Sequence, residues 1–429
     1  MKTVLRTLCF LTLAAAQAGC GSSGRAPAAN APSLAAHTGA DAAVPPPSTA
    51  AGGLTPLSAV PGMPAWSTTG GNPGHTNYVP ASFDPARFSR RFTWSLPGGA
   101  SVAQAQLALD QDQAFAVAAG ADGTWTLRAL DEASGKESWT APLGKLDVAD
   151  PPAVHDGKVI LSTAAGAEGD ALWLFDQRTG KLLDKRAMPG RRTLGHSTAD
   201  LRPAPVVAGD GIYVNDRAGG KLTAKFDLAT HELLWESAWT GAPNHAFAPA
   251  VEDGRVYAAF SSGGLLAADA RTGKTVLDHH RQFTDAPMPG IVSDGSAYAL
   301  AVGGLVATDL KQGIFKWQGP ELLELAAPPG PVLYGVSSDA IQALDSASGK
   351  VLWRMPLPGA ASVSNPILAT RNLLFVSSYP RSDLGTVAVD IATRKVVWRC
   401  PEGGWLSISP NGVLYITPLQ GAVTAVNLL

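Results

Sequence analysis

The chain is poor in cysteine, in charge and in long apolar runs. Its 429 residues hold three cysteines, Cys9, Cys20 and Cys400, too few for a disulfide framework. Charged residues make up 16 % and the formal net charge is −2, so no basic stripe is available to neutralise phosphates, and nucleic acid is excluded as a partner. The longest apolar stretch, Val4 to Ala16, is too short and interrupted for a membrane span. No apolar period of 3.6 runs long enough to predict a helix. What is abundant is turn chemistry: 46 glycines and 33 prolines, about 18 % together against roughly 12 % in average usage.

One turn recurs. Its clearest copy runs Ala343-Leu344-Asp345-Ser346-Ala347-Ser348-Gly349-Lys350-Val351-Leu352-Trp353. A strand enters, a polar turn reverses it, and a second strand leaves with a tryptophan. The Asp carboxylate can accept from backbone N–H groups two or three residues on, and the Gly takes positive φ at no steric cost. Asp131, Asp176, Asp227, Asp269, Asp309, Asp345 and Asp390 head complete copies, and Asn427 heads a half-copy at the C-terminus. Trp139, Trp235, Trp317, Trp353 and Trp398 lie eight residues after five of these Asp residues; Asp184 and Leu277 take that position in the other two. From Asp131 to Asn427 the spacing averages about 42 residues, and a period of 40–45 with four strands per unit marks propeller blades. The segment Thr386 to Asp390 followed by Lys395 to Arg399 shows the strand alternation within one unit.

The pattern Ala-x-Asp-x-x-[Ser/Thr]-Gly-x-x-x-Trp resembles the tryptophan-docking repeat of quinoprotein-type (PQQ-like) β-propellers over about residues 91 to 429. That superfamily includes quinone-dependent dehydrogenases and non-enzymatic lipoproteins such as those of the BamB kind, which serve the outer-membrane β-barrel assembly machinery. The strand Arg91 to Pro97, with Trp94, has no Asp turn before it, and the C-terminal strands Val413 to Ile416 and Ala422 to Leu429 have no outgoing Trp strand. The two halves complete one blade, with Trp94 closing the ring and leaving no open edge. The predicted fold is all-β: an eight-bladed β-propeller of four-stranded antiparallel blades, the last closed by an N-terminal strand. The Trp and Asp positions are read as inter-blade docking, with weaker or differently filled contacts at Asp184 and Leu277.

Residues 1–20 read as a targeting segment, with Lys2 and Arg6 before an apolar stretch. Its end, Gln17-Ala18-Gly19-Cys20, resembles a bacterial lipoprotein processing site, although Gln stands where Leu is usual. Acylation of Cys20 and the absence of Asp after it imply an outer-membrane, lipid-anchored, periplasm-facing protein; the cell surface and the soluble periplasm are alternatives. Residues 21–65, Ala/Pro/Gly/Ser-rich, predict a flexible stalk. Residues 66–90, with Trp66 and the run Gly70 to Tyr78, predict a lead-in strap of turns against a propeller spanning 91–429. Cys9 leaves with the signal and Cys20 is acylated, so Cys400 is a lone packed thiol.

Catalytic motifs are scarce. His231-Glu232 lacks the second His of a helical zinc site, and Gly190 to Gly195 is followed by His196-Ser197 rather than Lys-Ser/Thr. Asp110-Gln111-Asp112 and His279-His280 read as solvated turn and blade edge. The resemblance implies that a quinoprotein dehydrogenase would need adjacent cysteines and Glu, Asn and Asp ligands for calcium; no Cys-Cys pair exists here. No catalytic residue, metal site or cofactor is therefore assigned. The interval Asp176 to Asp227 is the longest, at 51 residues, and its excess carries Arg191, Arg192, Leu194 and His196, a segment suited to docking a partner and loosely similar to a basic, Leu-bearing loop of the barrel-assembly lipoprotein. The expected function is a non-catalytic envelope scaffold with a protein partner, a β-barrel assembly subunit being the one the resemblance implies. The alternative is a PQQ-type ligand-binding protein or quinone-dependent dehydrogenase.

Overall fold

The computed structural model describes residues 56–96, 101–102, 105–164, 170–188, 204–215, 222–238, 248–259, 265–279, 290–301, 303–358, 366–378 and 384–429. Its strands form eight antiparallel sheets, numbered here as blades 1 to 8 along the chain. Blade 6 shows the unit: Glu324–Ala326, Val332–Val336, Ala340–Asp345 and Val351–Pro356 pair in chain order. In blades 1 and 2 the first strand is broken into two short pieces, Ser101–Val102 with Ala108–Asp110, and Val148–Ala149 with Ala153–His155, each pair lying against one second strand.

Blade 8 takes its outer strand from the start of the chain. Ser89–Trp94 pairs antiparallel with Val423–Asn427, Ser89 opposite Asn427 and Trp94 opposite Val423. This removes the edge that a C-terminal strand would otherwise present. The closure carries a buried polar cluster: Tyr415 Oη donates to Glu132 Oε1 at 3.0 Å, Asn411 Nδ2 donates to Glu132 Oε2 at 2.7 Å, and Arg91 Nε donates to the Glu132 carbonyl at 2.9 Å. Burial pushes the Glu132 carboxyl above its ordinary range, against these donors. Blades 8 and 1 are thereby joined by side chains across the seam.

The recurring turn has one construction. The Asp carboxylate accepts from the N–H three residues on, at 2.7 Å in Asp131, 2.8 Å in Asp176, 2.6 Å in Asp227, 2.8 Å in Asp269, 2.7 Å in Asp309, 2.8 Å in Asp345 and 2.7 Å in Asp390. Hydroxyl and N–H donors of Thr179, Thr272, Ser348 and Thr393 hold the carboxyls of Asp176, Asp269, Asp345 and Asp390 below the usual range. A one-residue register shift then follows in each outer hairpin, so that Trp353 sits opposite Ala343 and Trp398 opposite Ala388.

The strap is more extensive than its sequence suggests. Ordered packing begins before residue 66, inside the segment expected to be stalk: Leu57, Val60 and Met63 pack on the core of the closing blade, and Val60 N–H donates to the Pro410 carbonyl of blade 8. From there the chain runs over the first strand of every blade in turn. Trp66 exchanges hydrogen bonds with Leu109 of blade 1, the Ser67 carbonyl takes Val154 N–H of blade 2, and Thr68 Oγ1 donates to Pro205 of blade 3. The Pro73 and Gly74 carbonyls accept from Val251 and Val292 of blades 4 and 5. The Thr76 and Asn77 carbonyls take Ala327 of blade 6 and Ala369 of blade 7. Phe83 then reaches Gly412 of blade 8, and a short 3-10 turn, Pro85–Arg87, leads out to the closing strand. The strap thus makes a full circuit and supplies partners to the inner edge of the sheets. Gly71 permits it: at φ 91° its Cα faces the Trp66 ring so closely that a Cβ would lie 2.8 Å away.

Candidate functional site

The docking positions are the first candidates to place. Trp139 Nε1 donates to the Gln177 carbonyl at 3.0 Å, Trp235 Nε1 to Ala270 at 3.2 Å and Trp317 Nε1 to Ser346 at 3.0 Å, each acceptor lying in the Asp turn of the next blade. Each ring covers that turn's glycine: a Cβ on Gly180, Gly273 or Gly349 would meet the ring at 2.4, 2.6 or 2.3 Å. These indoles are spent between blades, their faces against backbone.

The other five junctions depart from Trp over Gly. In blade 8, Phe92 rather than Trp94 stands opposite Ala425, two residues before the turn position, and Gly135 of blade 1 lies against its ring. Trp94 is buried two residues further on, its Nε1 donating to Glu137 at 3.2 Å. Between blades 2 and 3, Asp184 and His231 replace the Trp and the Gly. His231 has φ 61° and Nδ1 is 3.0 Å from Asp184 Oδ2. Burial opposes its charge, but His231, the Lys185 N–H and Arg186 hold the Asp184 carboxyl below its ordinary range. Leu277 of blade 4 is buried in a cluster with Leu310 from the turn of blade 5. At blade 7, Arg394 with φ 59° replaces the Gly, and its guanidinium lies 5.7 Å from the Trp353 ring centroid. Trp398 meets Phe88 edge-on at 5.5 Å.

A cavity of about 730 Å³ opens between the strap and blades 3 to 5. Asn72 to Gly74 and Thr76 form one wall; Tyr213, Lys225, Glu252 and Asp294 stand on the others. Lys225 replaces the small residue of the repeat. Its Nζ is 2.6 Å from Asp210 Oδ1 and 5.7 Å from the Tyr213 ring centroid. Burial works against that ammonium, yet Asp210 holds it above its usual range. Burial first, then Asp253 and Asp294, push the Glu252 carboxyl up.

Among the described residues no three His, Cys, Asp or Glu side chains converge as metal ligands. Cys400 is buried, donates to Glu402 Oε2 at 2.9 Å, and burial raises its thiol to about 12, so it is no nucleophile at neutral pH. Arg191, Arg192, Leu194, His196 and Cys20 lie outside the described residues.

Against known proteins, residues 48–319 and 321–427 match the family model described as outer membrane protein assembly factor BamB. A relative from Escherichia coli (strain K12), named outer membrane protein assembly factor BamB, is 25% identical over 314 residues, covering 67% of this chain and 76% of its own length. Among solved structures, BamB from Moraxella catarrhalis is similar with a TM-score of 0.56 at 19% identity, covering 79% of this chain and 97% of that one. A europium-containing methanol dehydrogenase is similar at 0.59 and 14% identity, covering 85% and 98%. The quinohemoprotein alcohol dehydrogenase from Comamonas testosteroni reaches 0.61 at 13% identity, covering 85% and 80%. The solved structures share the fold, and BamB and dehydrogenases stand together among them. The family model spans all eight blades and the strap, and on that ground the chain belongs to the family of the outer membrane protein assembly factor BamB.

Proposed function

We propose that this protein is a non-catalytic scaffold of the cell envelope, BamB-like in serving outer-membrane β-barrel assembly, anchored through acylated Cys20 and facing the periplasm. The observation that carries the reading is the family match over residues 48–427. Two features agree with it. The docking indoles face neighbouring backbone, and the inner strands give their free N–H groups to the strap. The quinoprotein alternative shares the fold, but the chain lacks the adjacent cysteines that its resemblance to those enzymes would require.

Affinity capture of the full chain from gently solubilised envelopes tests the scaffold role. Subunits of the β-barrel assembly machinery should co-purify, and capture should fall on replacing Arg191, Arg192, Leu194 and His196 together by Ala. Capture without any such subunit contradicts the BamB-like role.

A further inference from the structure

We propose that the strap segment over blades 3 to 6 is a proton-released gate on the cavity beside it, with His75 as its pin. His75 is 2% exposed and holds a left-handed backbone at φ 58°, a conformation that survives in a non-glycine residue only when its surroundings impose it. Its ring spans strap and blade: Nδ1 is 2.7 Å from the Thr69 carbonyl oxygen and Nε2 is 3.1 Å from that of Pro249 in blade 4. Just beyond it the strap presses onto the inner strands. Val251, Val292 and Ala327 donate to Pro73, Gly74 and Thr76, and a Cβ on Gly74 would lie 2.4 Å from the Val292 carbonyl. Pro73, Gly74 and Thr76 wall the 730 Å³ cavity together with Val251 and Val292, so lifting the strap widens it.

A neutral imidazole carries one N–H and satisfies one of the facing carbonyls. Protonation would satisfy both, but it would place a cation inside the protein. The groups that bear on the ring are the carbonyls of Thr69, Pro249 and Ala248, and among the described residues no carboxylate contributes. One further hydrogen bond returns less than burying an uncompensated ion costs. Burial accordingly lowers the His75 pKa. A histidine whose affinity for protons is lower when seated than when released favours release as pH falls below its ordinary value of about 6.5. The other charged groups on the packed elements are Asp210 and Lys225 of blade 3, Glu252, Asp253, Asp269 and Arg271 of blade 4, Asp294 of blade 5 and Glu324 of blade 6. Asp210 and Lys225 are paired. Glu252 has its affinity for protons raised by burial, so its protonation favours the closed state and opposes His75.

Amide-resolved hydrogen exchange on the full chain tests the gate. Between pH 7.5 and 5.5, corrected for intrinsic exchange, the opening constant at Val251, Val292 and Ala327 should rise about tenfold, as expected for one proton taken up on release at an ordinary histidine pKa of about 6.5. Amides within the sheets of blades 7 and 8 should not change. His75→Asn should remove the rise and Glu252→Gln should retain it. Should His75→Asn fail to fold, the His75 ring proton resonances of the native chain decide: they should not titrate near pH 6.5 in the closed state. A flat response at the three reporters, a rise that survives in His75→Asn, or an ordinary His75 titration would each overturn the proposal.

Discussion

Replacing Asp184 by Trp and His231 by Gly together should stabilise the propeller by about 1–2 kcal/mol, while Asp184→Trp alone should destabilise it by about 2–3 kcal/mol. The reason is the geometry of the other seams. At three of them the docking indole lies so close to the following turn that a side chain would collide with it: at Gly180, Gly273 and Gly349 a Cβ would sit 2.3 to 2.6 Å from ring carbons, whereas the Trp353 seam accommodates Arg394. His231 occupies that place at the seam between blades 2 and 3. An indole introduced by Asp184→Trp would collide with it, and overpacking of this kind costs more than the ring's burial returns. His231→Gly alone loses the pair with Asp184 but relieves a non-glycine residue at φ 61°, so a change within about 1 kcal/mol is expected. The two effects are non-additive because one site makes room for the other. Urea unfolding of wild type, both single variants and the double variant gives the coupling. Additive changes would show that the Asp184–His231 contact does not stand in for a docking pair.

Deleting residues 1–83, which keeps the closing strand but removes the strap, should cost about 5–10 kcal/mol, comparable with the whole stability of a domain. Inner-strand amides of Leu109, Val154, Val251, Val292, Ala327, Ala369 and Arg371 would lose their carbonyl acceptors, at roughly 1–3 kcal/mol for each that water cannot reach. Trp66, Val79 and Phe83, all buried, would leave as well. Deleting residues 1–55 takes away none of these contacts and should change stability by no more than about 0.5 kcal/mol. Thermal unfolding of the two truncations beside the full chain measures the difference. Equal melting temperatures would mean that the strap lies on the ring without holding it.

The blades were legible because each repeat spends a polar turn and a large side chain at fixed spacing, and both are visible without coordinates. The ring closure was legible because an orphan strand at each end implied a partner for the other. The docking role of Phe92 was not: a split repeat has no internal spacing, and Trp94, two residues on, was the more conspicuous aromatic. Register decided it, since Phe92 faces Ala425. His231 and Arg394 could have been found, because each stands four residues after its Asp where other copies have Gly. The strap's true start was hidden because its attachment is largely by backbone carbonyls and N–H groups, which composition does not reveal; only Leu57, Val60 and Met63 hinted at it. The cavity draws on the strap and on blades 3 to 5, distant parts of the chain that only the closed ring assembles.

On the scaffold reading, the repeat's conspicuous residues serve architecture and the chain carries no quinone chemistry. Titrating the purified protein with pyrroloquinoline quinone and calcium, followed by absorbance and by dye-linked alcohol oxidation, tests this most directly. The spectrum should remain that of free quinone with no oxidation above background; a saturable new chromophore with alcohol-dependent dye reduction would contradict it.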